Sequence, residues 1–365
     1  MVSLLSGTWC WKWLLRASGG TLMVREVHTT RLPREAHVLE EFLDPRIVSL
    51  RSIIENWDQS LKQKVVMSVD RIRTDVLDIA FEQGGASDGI PVFLLHGWPD
   101  APCGWNAVAE HLQTAGYRTI APYLRGSSPT EFLSTETPRV GSGVALAQDA
   151  IDLADRLGLK QFAVVGHDWG ARAVYILAAL FPERIKAIAA LALGYQPRGI
   201  FEIPSFEQSR RFWYQWFLCT KGGAEKVRED PVGFARIQWE TWSPPGWFND
   251  AEFERASESF ASTDWVAITL NAYRSRWRQD EASDLRYNVL RQRLSKVESL
   301  TTPTLMIQGL SDFCDPPSES KGLEAFFTGS YERIELEGVG HFPHREAPKL
   351  VAKAVLHHLH DCAKF

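Results

Sequence analysis

The stretch Phe162-Ala163-Val164-Val165-Gly166-His167-Asp168-Trp169-Gly170-Ala171 sets a carboxylate between two glycines, after an apolar run and before a second apolar segment over 171–181. A buried strand that ends in Gly-x-Asp-x-Gly and turns at once into a helix projects its central side chain from the strand end. The glycines are needed because neighbouring backbones approach there too closely for a Cβ. Asp168 is ionised at neutral pH and needs no base to attack an sp³ carbon bearing a strained or stable leaving group, so the chemistry on offer is formation of an alkyl ester. A histidine held by a second carboxylate must then activate water against that ester.

Both partners follow downstream. The apolar run in Pro303-Thr304-Leu305-Met306-Ile307-Gln308 leads into Gly309-Leu310-Ser311-Asp312, which delivers an acid just past a strand end. Asp312 is the expected orienting carboxylate. Asp315 is the fallback, three residues deeper in a loop closed by Pro316-Pro317. The segment Gly338-Val339-Gly340-His341-Phe342-Pro343-His344 follows an apolar run over 334–336, which puts His341 on a strand-to-helix loop, with His344 as the second candidate for the histidine or else a residue that fixes the loop. An oxyanion also needs donors. The strand over 91–95 opens into His96-Gly97-Trp98-Pro99-Asp100, so the backbone N–H groups of Trp98 and Trp169 are the natural suppliers, while Pro99 has no N–H and fixes the turn.

These residues need a scaffold that brings strand ends together. From about residue 64, short apolar runs at 65–69, 76–81, 91–95, 118–121, 162–165, 187–193, 304–308 and 334–336 alternate with helical patterns at 105–115, 144–157, 171–181 and 348–358. Such alternation specifies a mostly parallel sheet covered by helices, an α/β architecture. The glycine-rich segment 84–89 reads as a hairpin-like break. Between 196 and 300 the strands stop and aromatics crowd at helical spacing, including Phe212-Trp213-Tyr214-Gln215-Trp216-Phe217. A structureless loop of that length is implausible in a compact domain, so a helical lid inserted in the sheet domain is expected. The expected organisation is an N-terminal extension over 1–60, a core over 61–195 and 301–365, and the cap over 196–300.

Of 365 residues, 45% are hydrophobic and 23% charged, which excludes a disordered or collagen-like chain. The net charge of −5 removes the electrostatic basis for binding nucleic acid. Five scattered cysteines without a Cys-x-x-Cys argue against a disulfide framework or zinc site and favour a reducing, cytoplasmic setting. No apolar stretch is long enough to span a membrane. Residues 1–25 are basic and free of acidic residues, which fits either organellar targeting or a disordered tail. The histidines at 357, 358 and 360 suit the end of a helix better than a metal site.

The pattern of His96-Gly97-Trp98-Pro99, the Gly166–Gly170 turn, the acid loop at 309–312 and Gly340-His341 resembles the soluble epoxide hydrolases of the α/β-hydrolase superfamily, over about residues 65–360. The resemblance implies an α/β-hydrolase fold with a cap, no cofactor and no metal. It also implies that Asp168, Asp312 and His341 act as nucleophile, acid and base, that Tyr214 and Tyr273 serve as lid acids for the opening epoxide oxygen, and that His96, Pro99, Trp213 and Arg172 contact substrate. The expected partners are a small apolar epoxide or halogenated substrate and water, with a homodimer as the assembly allowed.

Dehalogenases share the Asp nucleophile and form the alternative. Haloalkane dehalogenases typically carry Asn where this chain has Trp98. Fluoroacetate dehalogenases are similar in having an arginine at the position of Arg172, but carry a second one where Trp169 stands, and the Trp169 indole is a donor a halide could use. The loop Tyr123-Leu124-Arg125-Gly126-Ser127-Ser128 also departs from the epoxide hydrolase pattern by losing its acidic residue. A third reading, from a different class, is a ligand-binding homologue without catalysis, against which the intact acid–base set argues.

Overall fold

The computed structural model describes residues 68–260, 262–278 and 283–362 and, as backbone alone, strands β1 (Val2–Leu5), β2 (Thr8–Arg16) and β3 (Leu22–Thr29). These three pair antiparallel in a unit of their own, Met1–Val66, separate from Met67–Phe365. No element was expected there, although Trp9, Trp11 and Trp13 recur with a period of two.

The second unit is built on β4 (Ser68–Arg73), β5 (Leu77–Gly84), β6 (Ile90–Leu95), β7 (Tyr117–Pro122), β8 (Glu131–Phe132), β9 (Phe162–His167), β10 (Ile185–Leu191), β11 (Thr304–Gly309) and β12 (Tyr331–Leu336). They lie in the order β12-β11-β10-β9-β6-β7-β5-β4, with β8 on β5. From β12 to β7 all pairs are parallel, and β5 and β4 close the edge antiparallel. The strand expected at 65–69 is realised as β4, later in the chain, and residues 65–67 lie outside the described residues. The break at 84–89 is not a hairpin: β7 lies between β5 and β6, so the chain crosses over it.

Among the described residues the α-helices are α1 (Asn106–Thr114), α2 (Gly143–Arg156) and α3 (Trp169–Leu180), the cap helices α4 (Phe206–Arg211), α5 (Trp213–Cys219), α6 (Lys221–Glu229), α7 (Pro231–Trp242), α8 (Asp250–Ser257), α9 (Thr263–Trp277) and α10 (Asn288–Leu294), then α11 (Pro343–Glu346) and α12 (Pro348–Cys362). Alternation along the strands assigns the two faces. Phe93, Leu95 and Val164 pack with Leu146, Ala171 and Val174 of α2 and α3, whereas Val92, Leu94 and Val165 pack with Val108, Leu112, Val351 and Val355 of α1 and α12. The cap helices start where side chains accept from otherwise unsatisfied backbone N–H groups: Ser205, Thr220, Asp230, Asn249 and Ser262 each cap the helix that follows. Among the described residues no helix is long and apolar enough to cross a membrane.

The 123–128 loop carries a buried tie between the two parts of the fold. Arg125 is fully buried and forms a two-pronged pair with Asp149 of α2, at 2.7 and 2.6 Å. It also donates to the Val140 carbonyl at 2.9 Å and to the Tyr287 hydroxyl, just before α10, at 2.7 Å. One guanidinium thereby ties the sheet domain to the last part of the cap. Removing only the cation would leave a buried carboxylate unpaired, which typically costs about 3–5 kcal/mol. Arg125→Met is therefore expected to lower unfolding stability by roughly that amount in a urea titration, and a loss below about 1 kcal/mol would contradict the role assigned to the pair.

Candidate active site

Asp168 sits between β9 and α3 with φ 49° and ψ −112°, a conformation a residue with a Cβ rarely adopts and one that costs on the order of 1–3 kcal/mol. It is held there by close approaches that only glycine permits. A Cβ on Gly170 would lie 2.1 Å from the Leu95 carbonyl oxygen, one on Gly166 2.4 Å from the Gly170 carbonyl, and one on Gly97 2.6 Å from the Asp168 Cβ. The strand end β6, the loop after it and the start of α3 are thus pressed against one another. As a result the Trp98 backbone N–H donates to Asp168 Oδ1 at 2.8 Å. Trp169, whose N–H is the other expected donor, opens α3, where N–H groups have no partner within the helix.

The second carboxylate oxygen faces the histidine: His341 Nε2 lies 3.7 Å from Asp168 Oδ2. On its other side His341 Nδ1 is 2.8 Å from Asp312 Oδ2, and the Cys314 and Asp315 backbone N–H groups donate to Asp312 Oδ1 at 2.8 Å each. All three side chains are buried. Burial alone would raise the Asp168 carboxyl, but His341, His167 and the Trp98 N–H outweigh it and hold the group below its usual range. Burial alone would lower His341, yet the flanking Asp312 and Asp168 charges lift it well above an ordinary imidazole. Asp315 does not reach the imidazole in place of Asp312. Burial and the charge of Asp312 push its carboxyl up to about 7.

The cap roofs this line with aromatic side chains. Tyr214 and Tyr273 are buried, their rings 5.3 Å apart and edge-to-face. Tyr273 accepts from the Trp169 indole N–H at 3.2 Å, so that donor is already engaged; Tyr214 accepts from Gln215 at 3.0 Å. Burial first, and then Asp168 for Tyr273 and Cys314 for Tyr214, raises both phenols well above their ordinary value, so both stay protonated at neutral pH. Trp98 stacks against Trp169, Tyr214 and Trp265, and its indole N–H donates to Thr269 of α9 at 2.8 Å.

The remaining expected contacts divide. Arg172 and Trp169 line a cavity of about 710 Å³ beside this site. His96 faces the protein interior instead: its Nε2 accepts from the Leu124 N–H at 3.1 Å and its Nδ1 lies 2.9 Å from the Gly97 carbonyl. Burial lowers His96 to about 4, so it is a neutral brace for the loop. The Pro99 carbonyl accepts from the Trp239 indole at 2.7 Å, which docks the loop on the cap. Trp213 is 40% exposed and packs on Phe217 and Phe234, because α5 turns Tyr214 inward and its neighbour outward. His344 fixes the loop, as expected, through Asp100 at 2.9 Å, and Asp100 also holds Arg345 at 2.6 Å.

Several supporting residues carry no sequence signal that the motif reading used. Ser243, just after α7, accepts from the His341 N–H at 2.8 Å and donates to Glu346 at 2.7 Å. Glu346 in turn accepts from the Gly340 and Phe342 N–H groups at 2.6 and 2.9 Å. His167, next to Asp168, lies 2.7 Å from the His341 carbonyl through Nε2, and burial keeps it neutral.

A model of the alpha/beta hydrolase fold matches residues 90–348 of the chain. The solved structure of a candidate epoxide hydrolase from Klebsiella pneumoniae is 37% identical with a TM-score of 0.75, covering 80% of this chain and 97% of that one. Among characterised sequences, an epoxide hydrolase of Caballeronia sordidicola is 28% identical over 79% of this chain and 92% of its own length. Epoxide hydrolase A of Mycobacterium tuberculosis is 26% identical over 74% and 91% respectively. The chain belongs to the α/β-hydrolase fold family as an epoxide hydrolase-like member.

Proposed function

We propose that the protein hydrolyses epoxides to vicinal diols through a covalent ester on Asp168. The observation that carries this reading is the placement of an ionised carboxylate at the strained turn, with one oxygen held by the Trp98 N–H and the other facing His341 beneath two buried phenols. The activities named for the relatives point the same way.

The geometry orders the steps. Oδ2, the oxygen not held by Trp98, forms a bond to an epoxide carbon as the ring C–O bond breaks, and the ring oxygen takes its proton from Tyr273 or Tyr214. Oδ1 is left as the ester carbonyl oxygen, already at the Trp98 N–H, where the next oxyanion develops. Esterification removes the Asp168 charge, one of the two that raise His341, so the imidazolium gives up its proton, which reprotonates the phenolate, and stands neutral as it is needed as a base. His341 Nε2, steadied by Asp312, then takes a proton from water; the hydroxide adds to the ester carbonyl carbon, the ester C–O bond breaks, and the diol leaves with the proton of the acid so formed, which restores the Asp168 carboxylate and the imidazolium. A halide leaving group finds less support, since the Trp169 indole is occupied by Tyr273 and Trp98 replaces the halide-binding Asn.

Single turnover in ¹⁸O-water is expected to label the Asp168 side chain, and diol formed with no label in that peptide would exclude the ester. Asp168→Ala should abolish turnover. His341→Gln should let alkyl-enzyme accumulate, detectable as a mass increase of the intact protein. The Tyr214→Phe/Tyr273→Phe double variant should lose epoxide opening; full activity there would refute the phenols as acids and favour carbon–halogen chemistry.

The two acid candidates separate by substitution. Asp312→Asn should reduce kcat on the order of a thousandfold or more, whereas Asp315→Asn should leave the triad intact. Asp315 is raised from the ordinary carboxylate value to about 7, so the folded state holds its proton between those values and stability falls as pH rises through that window. Each unit of such a shift corresponds to about 1.4 kcal/mol. Asp315→Asn should therefore raise Tm at pH 8 more than at pH 4, and an equal effect at both would contradict the assignment.

A further inference from the structure

Gln215 follows Tyr214 in α5 and is buried, with 1% of its surface exposed. A buried amide is costly unless its polar ends are paired. Gln215 Oε1 accepts from the Trp277 indole N–H at 3.1 Å and from the Arg276 guanidinium at 3.3 Å, both in the last turn of α9, the helix that carries Tyr273. Trp277 is in turn packed on the Trp216 ring, with 4.7 Å between centroids. Gln215 Nε2 donates to the Tyr214 hydroxyl oxygen at 3.0 Å. An indole N–H and a guanidinium only donate, so they fix the amide oxygen on their side and turn the amide NH₂ toward Tyr214.

That donated bond bears on where the single phenolic hydrogen goes. With its oxygen accepting from Gln215, the Tyr214 O–H points away from the amide and has the Cys314 sulfur as a neighbour at 3.8 Å. Thiol sulfur is a weak acceptor, and an epoxide oxygen would displace it readily. Tyr273 has a matching arrangement from another source, since the Trp169 indole N–H donates to its oxygen at 3.2 Å. Burial raises Tyr273 well above its ordinary value, and the Trp169 bond acts against that rise, because an N–H on the oxygen favours the phenolate over the phenol. The Gln215 N–H stands where it can do the same for Tyr214, which burial and then Cys314 raise. Charge that develops on the Tyr214 oxygen as an epoxide opens thus meets a donor already in place.

We propose that Gln215 is a positioning residue for epoxide opening, which directs the Tyr214 O–H at the epoxide oxygen and then holds the phenolate until it is reprotonated. The proposal rests on the epoxide reading, with Tyr214 as a proton donor. No proton leaves the amide: the Tyr214 proton goes to the ring oxygen and is replaced from the His341 imidazolium. The same amide couples the two phenols, because the group that sets Tyr214 is itself set by the end of the Tyr273 helix.

The test follows the two half-reactions of styrene oxide separately, by rapid quench and intact mass of the alkyl-enzyme. Gln215→Met, close in shape but without a donor, should slow alkylation at least about tenfold, the loss expected for a hydrogen bond to a charged group, and leave alkyl-enzyme hydrolysis within about twofold of wild type. Gln215→Glu, which keeps an acceptor for Trp277 and Arg276, should slow alkylation at least as much and replaces the Met variant if that one does not fold. In a Tyr214→Phe background, where Tyr273 remains, the same change should cost less than about twofold, since Gln215 acts through the hydroxyl. Unchanged alkylation, equal slowing of both half-reactions, or the same loss with and without the Tyr214 hydroxyl would overturn the proposal. Wild-type protein that forms no alkyl-enzyme would count instead against the epoxide reading. Calorimetric titration with hexanamide, whose carbonyl accepts as an epoxide oxygen does, then decides Gln215 alone: binding weakened at least about threefold by the Gln215 change, but not in the Tyr214→Phe background, upholds it, and any other result overturns it.

Discussion

Everything at the site depends on how closely three backbones approach at the turn around Asp168. With Gly97, Gly166 and Gly170 lacking side chains, β6, β9 and the first turn of α3 come within distances at which any Cβ would overlap a carbonyl or a neighbouring side chain. That compression forces Asp168 into its strained φ and aims the carboxylate out of the strand end. It also brings the Trp98 N–H onto one carboxylate oxygen. The cost of the strained residue is spread over a core in which β6, β9 and β10 are almost wholly buried, so local relaxation would require moving the sheet itself.

The same burial decides protonation. An ionised carboxylate, an imidazole and a second carboxylate stand in line away from water, and each shifts the others: the two acids raise His341, and His341 holds Asp168 ionised. The phenols above them are driven the other way and keep their protons. One enclosed space thus contains a charged carboxylate and two protonated phenols, a separation produced by environment. The loop bearing His341 is held at its backbone by Ser243, Glu346 and His167, so the imidazole is placed by residues from the cap, from α11 and from the turn around Asp168 together.

The cap's tryptophans serve two ends. Trp239 packs with Trp247, Phe248 and Phe253 as a core of the cap itself, while Trp98 gathers Trp169, Trp242, Trp265, Tyr214 and Tyr273 around the reacting groups. The aromatic mass therefore excludes water on one side of Trp169. On the other side, among the described residues, the cavity is lined by Arg172 from the core and Arg276 from the cap.

Much of the scaffold was legible along the chain, because parallel strands buried on both faces read as continuous apolar runs and the helices between them carry their own periodicity. The crossover of β7 between β5 and β6 was not legible, since pairing depends on distant strands. Asp168, Asp312 and His341 were visible because each follows a strand end in a short loop with its own glycine, so local residues alone constrain their positions. Trp213 and Tyr214 were indistinguishable by type; only the rotation of α5 against the core turned one outward and the other in. His96 looked like a ligand contact until its two ring nitrogens met backbone groups of its own domain. Ser243 meets His341 across 98 residues and Arg125 meets Tyr287 across 162, so neither contact shows along the chain. The sequence by itself determined which residue types stand at the strand ends, because that is a local property of turns. Tertiary structure alone decided which distant side chains surround them, because long-range packing sets the desolvation and charge that each group experiences.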